Sequence, residues 1–325
     1  MAKNSAKHCF LVILQISLLA GLGSAQLSTN YYSATCPQVE TIVRGAVTKK
    51  FQETFSAVGG VIRLIFHDCV VEGCDASVLI SSTSTNKAER DNDLNLSLNP
   101  DGFDTIVKAK AAVDSVPQCA NKVSCADILV MAARDMIALA GGPSYAVELG
   151  RLDGFVSSSD NVAGKLPTPD FDLNKLTGIF ASNGLSQADM IALSACHTTG
   201  LGHCDQFKDR LYGSTMDPTL NQGYAAQLAA SCPQNSNVNN AVFLDPVTPG
   251  VFDNQYFKNL QNGMGLFSSD QILFSDTRSQ PLVNLWANSS TSFEQALVTA
   301  ITNLGRVGVK TGLAGNIRKN CLAFN

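Results

Sequence analysis

The stretch VIRLIFHDC, residues 61–69, places Arg63, His67, Asp68 and Cys69 in an otherwise apolar helical run. Burying such groups without partners costs several kcal/mol each, so the sequence predicts that they have a function. Residues four apart lie on one face of a helix, which makes Arg63 and His67 neighbours. A guanidinium beside a neutral imidazole can move a proton and stabilise negative charge. The alternative is a structural histidine bonded to a backbone carbonyl, with Arg63 reaching solvent.

Asp68 projects about 100° away from His67 around the helix axis and therefore belongs to a different site. It faces the short loop 69–77, which contributes Asp75, Ser77 and backbone carbonyls. Two carboxylates, a hydroxyl and carbonyl oxygens make the oxygen-rich shell that Ca²⁺ prefers. The residues predict either a calcium site or, more simply, a helix-end aspartate followed by a turn aspartate.

The other histidines beyond residue 25 are His197 and His203. His197 ends an amphipathic helix in LSACHTTG, where a histidine is usually structural and becomes functional if a cofactor needs an axial ligand. His203 lies in the glycine turn GLGHC, which indicates a surface residue.

The first 25 residues predict a cleaved secretory signal peptide. Lys3 and Lys7 precede a short apolar run, 10–20, and small residues follow at 23–25. No later run reaches the ~20 apolar residues of a membrane span. The whole chain carries a formal charge of −4, and losing two lysines makes the mature chain, about 300 residues, more acidic. That charge argues against nucleic acid or an anionic membrane as partner.

Helical periodicity dominates the chain, so we predict a mostly α-helical protein of ten or so helices with at most a small β-hairpin. A soft boundary falls in the polar stretch 152–170. Capping signatures predict helix starts at Ser124, Ser186, Asp217-Pro218 and Ser292. Surface loops are predicted at 81–86, 231–240 and 287–292.

Cysteine usage fits an exported protein, in which thiols tend to be paired. Cys9 lies in the signal peptide, and the nine remaining cysteines leave at least one thiol free. A bridge between Cys69 and Cys74 would close a very short loop, so it would hold local geometry more than it would reduce chain entropy.

The chain closely resembles the secreted plant haem peroxidases (class III) in an ordered set of motifs: RLIFHDC, GCDAS, VSCADIL, AGGPSY, LGRLDG, LSACHTTG, DRLY and VFDNQYF. The resemblance runs from about residue 26 to residue 321. It implies an all-α fold of two lobes with one haem b between them. The distal lobe would comprise 26–160 and the C-terminal segment 305–325, and the proximal lobe 161–304.

On the distal side the resemblance implies that His67 is the acid–base histidine and Arg63 its partner. Phe66 would contact the haem, and Asn95 would orient the imidazole through its side-chain oxygen. Asn95 also begins the sequon Asn95-Leu96-Ser97. A pocket-facing side chain cannot carry a glycan, so we predict that Asn95 is bare and that Asn288, in Asn288-Ser289-Ser290, is the possible N-glycan site.

On the proximal side the resemblance implies that His197 is the axial iron ligand and that Asp270, in GLFSSDQ, bonds to it. Pro167, in LPTPD, would help place the reducing substrate. The distal calcium ion would be held by Asp68, Val71, Gly73, Asp75 and Ser77, with Glu89 linked through water. The proximal calcium ion would be held by Thr198, Asp245, Thr248, Val251 and Asp253. The implied disulfides are Cys36–Cys119, Cys69–Cys74, Cys125–Cys321 and Cys204–Cys232, which leaves Cys196 free.

The implied activity is reduction of hydrogen peroxide to water with one-electron oxidation of small phenolic donors, by a monomer in the apoplast or cell wall. A binding protein that keeps the fold but has lost or weak catalysis is the alternative, since Ala195-Cys196 replaces the family's Gly-Ala before the histidine. Cys196 is either a packing residue or an oxidation-sensitive thiol. A non-haem metal site of His67, Asp68 and Cys69 is disfavoured, because adjacent helical residues diverge.

One ion pair is also predicted from the residues alone. Asp127 lies in the first turn of a buried helix and Arg151 follows Gly150, so we predict an ion pair within the distal lobe.

Overall fold

The computed structural model describes residues 27–235 and 240–325. The predicted signal peptide, 1–25, and part of the predicted loop 231–240 lie outside these ranges. The described residues form twelve α-helices and one two-stranded sheet, which confirms the all-α prediction. The helices are α1 (Val39–Glu53), α2 (Ser56–Val71), α3 (Pro100–Asp114), α4 (Cys125–Leu139), α5 (Leu173–Ser182), α6 (Gln187–Ser194), α7 (Lys208–Tyr212), α8 (Gln222–Ser231), α9 (Gln255–Gln261), α10 (Ser268–Ser275), α11 (Gln280–Asn288) and α12 (Ser290–Leu304).

The small β element differs from a hairpin. Strand β1 (Leu201–His203) pairs antiparallel with β2 (Ala241–Phe243), and α7 and α8 lie between them in the chain. The prediction that His203 is a surface turn residue was wrong. It lies in β1, half-buried, and its Nδ1 has no hydrogen-bond partner among the described residues.

One apolar core joins most of the helices. Helix α4 is buried from Cys125 to Ile137 and packs against α1 and α2, which also contact α3. On the other side, α12 packs against α6. A smaller core around Phe207, Tyr224 and Leu228 lies beside the sheet. Because the main core includes residues on both sides of 160, the proposed lobes share packing, and their boundaries stay a prediction. Within the described ranges no helix is long and apolar enough to cross a membrane.

Two of the predicted helix starts are confirmed. The Ser124 hydroxyl accepts a hydrogen bond from the Asp127 amide at 3.1 Å, ahead of α4. Ser186 and Asp189 form a reciprocal capping box at the start of α6. Both caps satisfy backbone donors that a helix leaves unpaired at its first turn.

The other two predicted starts were wrong. Helix α8 is capped by Asn221, because the Asp217 carboxylate is held in a turn by Arg210 at 2.8 Å. Helix α12 begins at Ser290 and is capped by Ser289, two residues before the predicted start at Ser292. The predicted loop 287–292 is instead the end of α11 and the start of α12.

The structure contains the four disulfides that the resemblance implies: Cys36–Cys119, Cys69–Cys74, Cys125–Cys321 and Cys204–Cys232. Cys196 is the free cysteine of the described residues and is half-buried. Cys125–Cys321 joins the start of α4 to the C-terminal segment, 196 positions later.

The predicted ion pair is present and fully buried. Arg151 Nη1 lies 3.0 Å from Asp127 Oδ1. Asp127 Oδ2 also accepts hydrogen bonds from Tyr32 Oη at 2.8 Å and from the Gly150 amide at 2.7 Å. Arg151 Nε donates to the Gly305 carbonyl at 2.9 Å. The pair therefore connects α4 to the end of α12.

Replacing Asp127 by asparagine should destabilise the protein by about 3–5 kcal/mol, because a buried guanidinium then lacks its counter-charge. Chemical denaturation of Asp127→Asn measures the loss. Glu148→Gln is the matched control, since its pair with Arg306 is exposed and is expected to contribute about 0–1 kcal/mol. Unfolding of Asp127→Asn at the wild-type denaturant concentration contradicts the prediction.

Candidate active site

Helix α2 places Arg63 and His67 on one face, as their spacing predicts. Arg63 Nε donates to His67 Nε2 at 3.1 Å. The guanidinium is exposed but anchored, since Nη1 donates to the Ser97 carbonyl at 3.0 Å and Nη2 to the Leu94 carbonyl at 3.3 Å. His67 is only 7% exposed. Nε2 accepts the Arg63 hydrogen bond, and the guanidinium is placed to stabilise negative charge beside the imidazole.

Asn95 fixes the other nitrogen of the imidazole. Its side-chain Oδ1 lies 2.6 Å from His67 Nδ1, and its Nδ2 donates to the Glu89 carbonyl at 2.8 Å. An amide oxygen only accepts, so the network assigns the proton to Nδ1 and leaves a lone pair on Nε2. Burial, and then the charge of Arg63, lowers the pKa of His67 to about 3, with the Asn95 bond opposing. The side chain is therefore neutral at ordinary pH.

The two sequons differ in exposure: Asn95 was predicted to be bare and Asn288 to be the possible glycan site. Asn95 is 2% exposed and its amide is used by His67 and Glu89, which leaves no room for a sugar. Asn288 is exposed at the end of α11, where its Nδ2 donates to the Asn284 carbonyl at 2.9 Å.

The loop after α2 gathers buried acidic groups. Asp68 Oδ2 accepts from the Ala76 amide at 2.9 Å, and Asp75 Oδ1 accepts from the Ser77 amide at 3.0 Å. Burial, and then the charge of Asp75, raises the pKa of Asp68 well above its usual range. Burial also raises the pKa of Glu89 to about 9. These shifts show that the carboxylates are costly to ionise without a cation.

Several oxygens of this loop are buried without partners. Ser77 Oγ and both carboxylate oxygens of Glu89 make no hydrogen bond within the part of the chain that the structure describes. Val71 ends α2 and Gly73 lies in the loop that follows, and Gly73 adopts a φ of +103° against Gly308. Unsatisfied buried oxygens beside two carboxylates fit a hard cation.

The proximal histidine is carried by a 3₁₀ turn, Ala195–Thr198, that follows α6. His197 Nδ1 donates to Asp270 Oδ1 at 2.7 Å, and the His197 side chain is 40% exposed against 3% for Asp270. Asp270 Oδ2 accepts from the Phe267 amide at 2.9 Å. Burial alone would raise the pKa of Asp270, but the contact with His197 holds it below its usual range. The carboxylate thus fixes the tautomer and leaves Nε2 free to bind a metal.

Helix α2 approaches the proximal segment closely. A Cβ added at Gly59 would lie 3.0 Å from Gly200 Cα, three residues after His197. Farther along α2, Phe66 stacks on Phe180 of α5 at 5.5 Å between ring centroids. The two histidines therefore lie on elements that pack together, with Phe66 adjoining His67.

A second oxygen cluster surrounds Thr198. Its hydroxyl lies 3.3 Å from Asp245 Oδ2, from Asp253 Oδ1 and from the Val251 carbonyl. The Thr248 hydroxyl lies 3.3 Å from the same two carboxylate oxygens. These separations exceed the usual O–H···O distance. Two oxygens that each lie about 2.4 Å from the same ion, about 90° apart around it, are about 3.4 Å from each other. The observed spacing therefore fits oxygens that share one ion.

Both oxygen clusters combine carboxylates with hydroxyls and carbonyls. Within the described ranges no group of three or more histidine, cysteine or acidic side chains is arranged to hold a metal ion by itself. A cation here would also need the hydroxyl and carbonyl oxygens, which are hard ligands that suit Ca²⁺ better than Zn²⁺.

Two further predicted residues are Pro167 and Cys196, of which Cys196 directly precedes His197. Pro167 is half-buried in a loop whose Pro169 carbonyl accepts from the Ser269 amide at 2.9 Å, next to Asp270. Burial raises the pKa of Cys196 to about 12, so its sulfur is a neutral thiol. A neutral, half-buried thiol favours the packing role over a redox role.

The sequence interpretation missed Tyr256. Its hydroxyl donates to Asp270 Oδ1 at 3.0 Å. The residue belongs to the motif VFDNQYF, but its partner is fourteen positions later and on a different helix. Local spacing therefore carries no signal for this contact.

Known proteins share this chain's sequence over its full length. A family model described as Peroxidase matches residues 43–289. The chain is 59% identical over 329 residues to Peroxidase 51 of Arabidopsis thaliana, with 100% of both chains covered. It is 57% identical over 322 residues to Peroxidase 50 of the same plant, with 98% of each covered. The chain therefore belongs to the class III plant haem peroxidases.

Proposed function

We propose that this peroxidase reduces hydrogen peroxide and oxidises small phenols, and that His67 and Arg63 would act on the peroxide while His197 would hold the iron of a haem. The observation that carries the proposal is shared by both histidines. Each has its Nδ1 bonded to an oxygen acceptor, Asn95 for His67 and Asp270 for His197, so each Nε2 bears the lone pair. One lone pair suits a base and the other a metal ligand.

The residues around His197 fit a haem. Its imidazole is partly exposed although its partner Asp270 is buried, and the rings of Tyr256 and Phe267 flank it edge-on. When bound, the haem supplies the two electrons that reduce peroxide and recovers one from each of two donors. Asp270 increases the basicity of His197, which favours heterolytic cleavage of the O–O bond.

The distal residues handle protons and charge. Neutral His67 takes a proton from one peroxide oxygen through Nε2 and delivers it to the other oxygen, which leaves as water. Arg63 stabilises the negative charge that develops on the departing oxygen. In total, one peroxide and two phenols give two waters and two phenoxyl radicals. Asn95 keeps the imidazole in the tautomer that can accept the proton.

We also propose two structural calcium ions, one in each oxygen cluster. The buried unpartnered oxygens of Ser77 and Glu89 support the distal ion. The uniform 3.3 Å spacing around Thr198 and Thr248 supports the proximal one. Pro167 is proposed to help place the phenol, since its loop is attached beside Asp270.

Export to the apoplast or cell wall is the proposed location. Four disulfides and an amino-terminal signal-like sequence support it, because disulfides persist in oxidising compartments. A monomer with a glycan at exposed Asn288 is the accompanying proposal.

Replacing His67 by alanine should slow the reaction with peroxide by about 10²–10⁴-fold, the usual contribution of a general base. Stopped-flow measurement with the haem-loaded enzyme gives the rate. His203→Ala is the control, because this histidine lies in β1 and contacts neither Arg63 nor Asn95. An unchanged rate in His67→Ala excludes the proposed base.

The pH dependence of the peroxide reaction should follow the low pKa of His67. A base acts when unprotonated, so the rate should be constant above about pH 4 and fall as the pH passes through about 3. Absorbance of the bound haem controls for acid unfolding. A midpoint near pH 6.5, the ordinary value for histidine, would be the contrary result.

Replacing Asp245 by asparagine should remove the proximal calcium ion, because one of its two carboxylates is lost. Metal analysis after gel filtration should find one calcium per chain instead of two. Asp205→Asn, an exposed carboxylate outside both clusters, is the control. Two ions retained in Asp245→Asn would contradict the proximal assignment.

A further inference from the structure

We propose that Tyr256 is a positioning residue for the peroxidase reaction, because it shares with His197 a single oxygen of Asp270. This inference rests on the axial role proposed for His197. In that arrangement Tyr256 limits how strongly Asp270 draws the proton of the ligand imidazole. It therefore adjusts the electron density of the iron without touching iron, peroxide or donor.

The contact is direct and buried. Tyr256, on α9, is 3% exposed, and its Oη donates to Asp270 Oδ1 at 3.0 Å. The same oxygen accepts the His197 Nδ1 proton at 2.7 Å. The second oxygen, Oδ2, accepts only from the Phe267 amide among the described residues. One carboxylate oxygen therefore serves two side-chain donors.

The phenol can only act as a donor here. Burial, and then the charge of Asp270, raises the pKa of Tyr256 well above its usual range, so the hydroxyl stays protonated. Hydrogen bonds to a charged acceptor are about twice as strong as neutral ones, and two donors on one oxygen divide its charge between them. Without the phenol, Asp270 would bind the His197 proton more strongly.

A stronger bond to Nδ1 makes the imidazole a more basic ligand. A more basic axial ligand stabilises ferric over ferrous iron. Tyr256 therefore raises the reduction potential of the bound iron relative to a site that has only the His197–Asp270 pair. A residue that merely packs would leave this quantity unchanged.

The chain provides a matched control. Tyr224, on α8, is 4% exposed, and its hydroxyl has no hydrogen-bond partner within the described part of the chain. The charge of Asp270 acts on the Tyr224 hydroxyl as well, so Tyr224→Phe removes a buried phenol oxygen from the surroundings of Asp270 without removing a hydrogen bond to that carboxylate. Comparing it with Tyr256→Phe separates loss of packing from loss of the hydrogen bond.

The experiment measures the ferric/ferrous midpoint potential and the iron–imidazole stretching frequency of the haem-loaded variants. Tyr256→Phe should favour ferric iron about tenfold, which lowers the potential by about 59 mV for one electron, and should raise the stretching frequency. Tyr224→Phe should match wild type. Asp270→Asn should shift both quantities in the opposite direction. A fluorinated tyrosine at 256, a stronger donor, should raise the potential and keeps the test available if Tyr256→Phe does not fold.

The outcomes distinguish a failure of the role proposed for Tyr256 from a failure of the proposed function. If Asp270→Asn shifts the potential while Tyr256→Phe equals Tyr224→Phe, or shifts upward, the role of Tyr256 is wrong and the axial assignment stands. If Asp270→Asn changes neither potential nor stretching frequency, His197 is not the axial ligand, and both proposals are wrong.

Discussion

The orientation of the His67 imidazole depends on a short chain of hydrogen bonds that ends beside the distal oxygen cluster. Asn95 accepts from the imidazole and donates to the Glu89 carbonyl, and the Glu89 carboxylate lies buried near Asp68. The Glu89 amide is itself held by the Ser157 hydroxyl at 3.1 Å. The His67 imidazole and the acidic loop after α2 thus both lie against the 3₁₀ turn Glu89–Asp91. Any change that moves this turn also moves the acceptor that selects the tautomer.

The C-terminal segment packs against the acidic loop that follows α2 and fixes its position. Gly73 and Gly308 pack so closely that a Cβ on Gly73 would lie 2.5 Å from the Gly308 carbonyl oxygen. Lys310 Nζ donates to the Glu72 carbonyl at 2.8 Å, and Arg318 Nη2 to the Ala76 carbonyl at 2.6 Å. Together with Cys125–Cys321, these contacts make the last residues of the chain part of the site, although they contribute no reacting group.

Local periodicity was sufficient to place Arg63 and His67 together and Asp68 apart, because both follow from the pitch of one helix. The three disulfides other than Cys69–Cys74 and the proximal ligand set needed the resemblance, since spacing alone allows many pairings. The predicted start at Asp217 failed because Arg210 binds that carboxylate, a tertiary competitor that local rules do not include. The Tyr256–Asp270 contact was not predicted, because its two residues lie fourteen positions apart on different helices.

The alternative hypothesis, a binding protein that keeps the fold but has lost or weak catalysis, was based on Ala195 and Cys196. The structure accommodates both: Ala195 is fully buried, and the Cys196 thiol is neutral and half-buried. The hydrogen bond from His197 to Asp270 remains 2.7 Å, and His67 keeps both of its partners. Extra atoms behind the proximal histidine therefore change packing and leave both proton-handling networks complete. In the proposed mechanism those networks perform the chemistry, so the substitutions give no support to a loss of activity.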